Sequence, residues 1–504
     1  MSETTTTNRE SASMLLYGRR DIYTPVDDLT EANLIDEVNS ALTIHFENVM
    51  EEDYLYWYRR GIQPVLYRTK DRNEFILNKI IENHAAEVCD FKNGFFLQAP
   101  ATFVSRKGGK KGKVDRLNEY LYRSGKHVAD NQLADWFHTV GKAALYVEPT
   151  TDDETPLRAY ALDPRSAFVV YSMKPGNRPV YAVNVVIDGN KALLDVYTDS
   201  TIYRLSGSAV STQATAYKTY ETTAINVEKE EPNYLGHIPI IEYRYSSVNC
   251  SAFEQAITLF DSINDIQSNR ADGISQFIQS IAVAVNCQFD EGVTAEQIKK
   301  VGMIALSSIG ENKADFKILS EELNQEQTQT LVDNLYDQAL RICAMPSSAK
   351  SARGSFDATG LAAIYNNGWE QAGASARNTE DLFKESDRLF EEILIDVLKR
   401  NNLLDIKITD FELNFVREET ANIQSKAQAA HTMLAMGLAP ELAFKKSGLS
   451  NDPVSDVKMS EKYLRMIWGD PDQVDKVEEQ TTGQGEAVVV EETNNVDNLE
   501  PSEM

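Results

Sequence analysis

The chain has 504 residues, 42% of them hydrophobic and 25% charged, the balance of a folded protein with room for roughly two to four domains. Its formal net charge of −27 argues against a protein whose overall field grips nucleic acid. No run of about 18 apolar residues is present to span a membrane, and the polar start MSETTTTNRESAS lacks the apolar core of a signal peptide. The expected workplace is therefore a cytoplasm, or a particle assembled in one.

In chain order, residues 1 to 28 read as a flexible N-terminus. A helix is expected from about Leu29 to Glu51, with Leu34, Val38, Leu42 and Val49 on its apolar side and Thr30 as N-cap. The aromatic cluster Tyr54, Tyr56, Trp57 and Tyr58, followed by Arg59, Arg60 and Gly61, reads as a packed junction, with a ligand box as the alternative. Residues 73 to 97 read as one helix ending near Gly94. The loop RKGGKKGK, 106 to 113, holds five basic residues in eight. It is no nucleotide-binding loop: Gly108 and Gly112 are one residue too close, and Val114 stands where a magnesium-binding Ser or Thr belongs. A solvated loop and a contact with DNA or a partner both remain open for it. A helix from about Asn131 to Lys142 leads into the strand AALYVEP, and the chain is then β-rich to Tyr245. The segments RAYALDPRSAFVVYSM, RPVYAVNVVID, KALLDVYTDSTIYRL and HIPIIEYRY carry β-branched and aromatic residues between turn signals.

Residues 253 to 400 are the most informative stretch. A long helix is expected over 253 to 285, with Phe253, Ala256, Phe260, Ile263, Ile274, Phe277, Ile281 and Val285 in one apolar stripe. Residues 286 to 319 read as a small α/β insert with two short strands around Gly310. A second helix follows over about 320 to 345, with Leu331, Leu335, Ala339 and Ile342 on one face. The segment PSSAKSARGSFDATG then carries Lys350 and Arg353 among small residues, which give a mobile backbone. Cations on such a loop suit contact with phosphates; an ordinary exposed connector is the other reading. A third helix from about 358 to 400 would be roughly 60 Å long if continuous. Gly368 and Gly373 inside it would weaken it or mark a kink. Next come the strand IKITDFELNF and helices to about Trp468 broken at Gly437, Pro440 and Gly448. From Val477 the tail has eight acidic residues and no Lys or Arg, a composition that predicts disorder.

Signs of chemistry are sparse. Cys89, Cys250, Cys287 and Cys343 form no CxxC pair, so free buried thiols are expected. His45, His84, His127, His138, His237 and His431 form no short metal motif, and no GxSxG elbow occurs. Asp152, Asp153 and Glu154 are adjacent acids in a Thr/Pro loop, a solvent signature. No catalytic residue, metal site or cofactor is expected.

The order of these elements resembles the portal proteins of tailed double-stranded DNA bacteriophages, of the long-tailed type, over about residues 30 to 470. The similarity rests on WYRRGIQPVLYR, on the Asn-headed NEFILNKIIENHAAEVCDFKNGFFLQAP, on LDPRSAFVVY, on GHIPIIEYRYSSVNCSAFEQAITLFDSINDIQSNRADGISQFIQSIAVAV, and on FDATGLAA. Gln98 and Ala99 depart from the Gly this family usually has before Pro100. No single motif decides; their order and spacing do.

The resemblance implies an α+β, mainly helical fold assembled as a ring of about twelve subunits around a DNA tunnel. It implies a β-rich wing over 29–252, stem helices over 253–285 and 320–345, a clip over 286–319, a tunnel loop over 346–358, a long helix over 359–400 and a helical crown over 401–470. Ser347, Ser348, Lys350, Ser351, Arg353 and Gly354 would belong to the tunnel loop. Phe260, Ile263, Ile274, Phe277 and Ile281 would belong to the stem and subunit interface. The implied partners are double-stranded DNA passing non-specifically, terminase, the major capsid and scaffolding proteins and a head–tail adaptor, with no membrane. The implied location is the capsid vertex of the virion, with host cytoplasm during assembly. Another structural head–neck component, or a DNA-packaging enzyme, are the alternatives; the length and the lack of a nucleotide loop count against them.

Overall fold

The computed structural model describes residues 18–69, 76–106, 110–212, 219–278, 282–285, 287–288, 307–308, 315–318, 325–346, 368–415, 423–450 and 453–468. The chain divides into two compact units, Met1–Ala421 and Asn422–Met504.

In the first unit, a six-stranded sheet has the order β1-β5-β6-β7-β8-β9. Its strands are β1 Ile22–Thr24, β5 Ala167–Ser172, β6 Pro179–Asp188, β7 Lys191–Tyr197, β8 Thr201–Thr212 and β9 Thr219–Pro232. β1 pairs parallel with β5, and the remaining pairs are antiparallel. The alternation in KALLDVY buries Ala192, Leu194 and Val196 on one face. Helix α1, Leu34–Arg59, covers that face with Leu34, Val38, Ala41 and Leu42. A second sheet orders β10 Ile240–Arg244, β3 Lys142–Pro149 and β4 Leu157–Leu162. It shares a core with helices α3 Lys111–Arg123, α4 Lys126–Val140 and α7 Trp369–Arg400. At the centre of that core, Lys126 Nζ reaches Asp387 at 2.7 Å and also bonds Asp130, while Tyr243 donates to Asp387 at 2.7 Å. A buried ammonium is tolerable only with partners like these. Strand β15, Phe411–Asn414, returns to pair with β2, Thr102–Ser105.

Several expectations shift. α1 starts at Leu34, not Leu29, with Asn33 rather than Thr30 at the N-cap. It runs on through the aromatic cluster, which is packed: Tyr58 is buried, stacks on Phe253 and donates to Asp261 at 2.8 Å. Residues 76–83 are not helical; helix α2 covers only His84–Phe96. α4 begins earlier than expected, after Gly125 in the left-handed region, and stops at Gly141. A Cβ on Gly141 would lie 2.1 Å from the Asn249 carbonyl oxygen, so only glycine fits there. Cys89, Cys250 and Cys343 are free and buried, as expected, and the side chain of Cys287 lies outside the described residues.

Residues 18–24 are also ordered, against the expectation of a flexible stretch to residue 28. Arg19 is buried with ion pairs to Glu51 at 3.0 Å and Glu254 at 2.5 Å, and it donates to the Val140 carbonyl at 3.1 Å. Lys142 pairs with Asp21 at 2.8 Å and Glu242 at 3.0 Å beside it. These charges compensate one another only while the segment stays in place, so its folding is tied to theirs.

The second unit holds helices α8 Ile423–Ala435, α9 Pro440–Ser447 and α10 Pro453–Trp468. Gly437 and Gly448 take positive φ between them and Pro440 opens α9, the breaks read from the sequence. The acidic tail from Val477 lies outside the described residues.

Glu52 in this ionic junction is buried, and its Oε2 has no hydrogen-bond partner. Burial pushes its carboxyl up to about 7 from the ordinary 4.5, outweighing the pull of Arg19 and Lys142. Between those values the folded chain holds a proton that the unfolded chain releases. Stability is therefore lost as pH rises through that window, and Glu52→Gln should remove the loss. Unfolding free energies from urea titration should show the variant matching the parent at pH 5 and exceeding it at pH 8 by about 1–3 kcal/mol. An equal difference at both pH values would show that Glu52 does not titrate there.

Candidate functional site

Helix α5, Ile257–Ile278, and helix α6, Gln325–Ile342, form a pair. Arg270 donates to Gln329 at 2.6 Å near one end; near the other, the His84 ring bridges Phe260 and Tyr336 at 5.7 and 4.5 Å. The helices are thus antiparallel. The expected helix to residue 285 stops at Ile278, because Ala282–Val285 is a strand, β11. It pairs antiparallel with β14, Asp315–Ile318, and the two-residue strands β12, Cys287–Gln288, and β13, Ser307–Ser308, pair beyond it. The expected strands on either side of Gly310 are therefore present.

One face of α5 is polar yet buried, through Asn264, Ser268 and Asp272. These side chains accept from the backbone N–H groups of the extended segment 76–83. Asn78 N donates to Asp272 Oδ1 at 2.7 Å, Ile80 N to Ser268 Oγ at 2.9 Å and Glu82 N to Asn264 Oδ1 at 2.8 Å. The spacing explains the match: four helical residues advance about 6 Å and two extended residues about 6.7 Å. Asp272 is further held by the Asn78 amide at 2.8 Å and Arg68 at 3.2 Å.

At its other end α6 closes in a Schellman motif. Met345 N donates to the Leu340 carbonyl and Ala344 N to the Arg341 carbonyl, with Ala344 at φ 50°. The chain re-enters at Gly368, whose φ of 82° makes it the N-cap of α7 and not an interior helix residue. A Cβ there would sit 3.3 Å from the Met345 carbonyl oxygen. The two ends of the stretch 347–367 are thus pinned together at a narrow neck.

A family profile described as phage portal protein, SPP1 Gp6-like, matches residues 42–481. The chain belongs to that phage portal protein family. Among curated proteins, no sequence matches it. The family is structural and non-enzymatic, and membership assigns the chain a portal role in an oligomeric, capsid-associated assembly. No described helix is long and apolar enough to cross a membrane.

The portal residues named from sequence fall in three places. Phe260 and Ile263 are buried within the chain, in a core with Tyr58, Val332 and Ala339; they offer a neighbouring subunit no surface unless that core opens. Ile274 is 47% exposed. The Phe277 side chain, Ile281, and all of Ser347, Ser348, Lys350, Ser351, Arg353 and Gly354 lie outside the described residues. On α6 the buried side chains are Val332, Ala339 and Leu340, with Cys343 buried just past its end, while Leu331 and Ile342 are 49% and 47% exposed. The buried face is thus turned from the expected stripe, although Ala339 lies on both and Leu335 packs against the same core.

The basic loop is partly neutralised by its own portal chain. Lys110 pairs with Asp410 at 2.7 Å, Arg106 with Glu412 at 3.4 Å, and Lys113 donates to the Asp405 carbonyl at 2.6 Å. Beside the aromatic junction, an open cleft of about 800 Å³ is lined by Tyr56, Arg59, Arg60, Asp135 and Trp136 among others. Its aromatic floor is already occupied by cations: Arg60 and Arg165 stand 4.3 and 4.2 Å from the Tyr56 ring centre.

The neck geometry sets opposite signs for two substitutions. Gly368→Ala puts a side chain in the left-handed region against the Met345 carbonyl and should cost about 1–2 kcal/mol. Ala344→Gly relieves the same kind of strain and should stabilise by up to about 1 kcal/mol. Thermal midpoints moving the same way in both variants would contradict this account.

Proposed function

We propose that about twelve copies of this chain form a closed ring at one capsid vertex, the channel through which double-stranded DNA is packaged and ejected. The observation that supports this most is the antiparallel pair α5–α6. It carries a paired β-insert at one end and the pinned neck of the 347–367 stretch at the other. A channel wall needs that arrangement: a rigid stem with a docking element outside and a loop directed at the cargo. In this reading α5 and α6 are the stem, about 27–33 Å long, and the 286–319 region is a clip that meets terminase and later the head–tail adaptor. Residues 29–252 form the wing, 401–470 the crown facing the capsid interior, and 346–358 the tunnel loop.

The charge balance then has a mechanical use. Phosphate binding needs cations, so a chain at −27 lines a tunnel to which DNA does not stick. Lys350 and Arg353, repeated around the ring, supply one weak and movable set of phosphate contacts, with Ser347, Ser348, Ser351 and Gly354 giving reach. Sliding requires low affinity, and no base readout is needed because cargo sequence is irrelevant. ATP hydrolysis belongs to the terminase, a separate protein.

Electron microscopy of the purified protein should show rings with a central hole and about twelve-fold symmetry. Uniform monomers or dimers across a range of salt would sink the ring assignment, and assays for ATPase and nuclease activity would follow. Phe277→Asp should abolish those rings by placing a charge in an apolar subunit seam shared with half-exposed Ile274; intact rings on gel filtration would remove that face from the interface. Lys350→Ala with Arg353→Ala should leave rings intact while reducing DNA packaging or retention. Normal genome length and particle yield in that double variant would take the loop out of the mechanism.

A further inference from the structure

Among its described residues, the second unit has no core of its own. Helices α8, α9 and α10 run over 13, 8 and 16 residues, and α9 packs against both of the others. Only Ala430 and Ala443 are buried apolar side chains there, and no described residue of the unit joins any of the chain's apolar cores. Helices this short are marginal in water by themselves, and a unit below about 40 residues usually needs support from outside. Two alanines bury little area with which to offset the entropy of ordering three helices.

The large apolar side chains of the unit face solvent instead. Met459, Tyr463 and Met466 are 64–70% exposed, and spacings of four and three place them in one stripe along α10. A second set, Met436, Leu442 and Leu449, is 40–74% exposed and lies in α9 and the turns on either side of it. Scattered singly, such residues would need no explanation. In register on a unit without a core, they mark a face to be covered. Methionine suits a seam of this kind because its unbranched thioether adapts to the surface it meets.

Two observations point to a second copy as the cover. Family membership assigns the chain to an oligomeric assembly, which brings copies of this unit together. In a ring, one surface of each copy meets a different surface of the next, and the unit carries two different apolar sets. Charge agrees. Across 422–468, six Lys and Arg residues stand against four Asp and Glu, so this stretch is free of the acid excess of a chain at −27. Copies can meet here without the self-repulsion that the rest of the chain carries.

We propose that α10 of one copy packs its Met459–Tyr463–Met466 stripe onto the Met436, Leu442 and Leu449 set of the next copy. Each unit is then completed by its neighbour, and its three helices become fully ordered only on assembly. This contact rests on the ring reading above.

Full-length protein carrying p-benzoylphenylalanine in place of Tyr463 tests the contact. Isotope-labelled and unlabelled chains are assembled together, irradiated and mapped by peptide mass. Mixed-isotope links into residues 436–449 are expected. Links confined to single chains, links into residues 18–421 of either copy, or no link at all would each overturn the proposal. Hydrogen exchange gives a second readout on assembled protein. Met459→Asp with Met466→Asp should lower amide protection across α8–α10 at least about tenfold, while Met459→Leu should keep it. Amides of α4, in the first unit, should stay protected in both variants and certify the fold. Unchanged protection in the aspartate variant overturns the proposal. Electron microscopy of the same samples separates the two readings. Rings without mixed-isotope links overturn this contact alone, whereas chains that never assemble remove the ring and this contact with it.

Discussion

The extended segment 76–83 and the polar face of α5 hold each other in place, and the rest of the helix pair is built around that contact. An extended strand outside a sheet leaves its N–H groups unpaired, which burial does not tolerate. Asn264, Ser268 and Asp272 answer three of them in succession, at matched spacing. The consequence runs both ways. The segment cannot become helical without stranding these three buried side chains, and α5 cannot rotate without stranding the segment's backbone. That fixes which face of α5 is left for α6, and hence where Phe260 and Ile263 are buried.

A second constraint is buried charge. Arg19 with Glu51 and Glu254, and Lys126 with Asp130 and Asp387, are each desolvated sets drawn from distant parts of the chain. Such sets add little net stability compared with apolar packing, but breaking one partner out is costly. They act as registration points, one joining the N-terminal segment to α1 and the start of the α5 region, the other joining α4 to α7.

Those positions matter for the proposed channel, whose work would be mechanical. The proposed channel would need a stiff stem, a docking element and a loop on a defined neck. The Schellman closure at Ala344 and the close approach of Gly368 to Met345 supply the neck. On the proposed reading, the overall acidity, unhelpful for a nucleic-acid binder, suits a wall past which DNA slides.

Much of the architecture was legible in the sequence: the strands between 142 and 244, the two helices flanking a β-insert, and the breaks at Gly437, Pro440 and Gly448. Local periodicity and turn chemistry encode these directly. The family was legible as well, from the order of segments rather than from any one motif. Other features were not. The segment ILNKIIEN, 76–83, continues a helix-like pattern, but its backbone is claimed by α5, about 190 residues away in sequence, and no local signal reports that. AVAV continued the stripe of α5 by spacing, yet pairing with Asp315–Ile318 makes it a strand. Arg19 looked like part of a loose terminus until its acidic partners came together around it. The sequence by itself determined which segments are helical or β-prone and to which family the chain belongs, because those depend on short-range patterns and their order. Only the tertiary structure decided which face of each helix is buried and which ambiguous segments become extended, because those depend on distant groups satisfying each other's hydrogen bonds and charges.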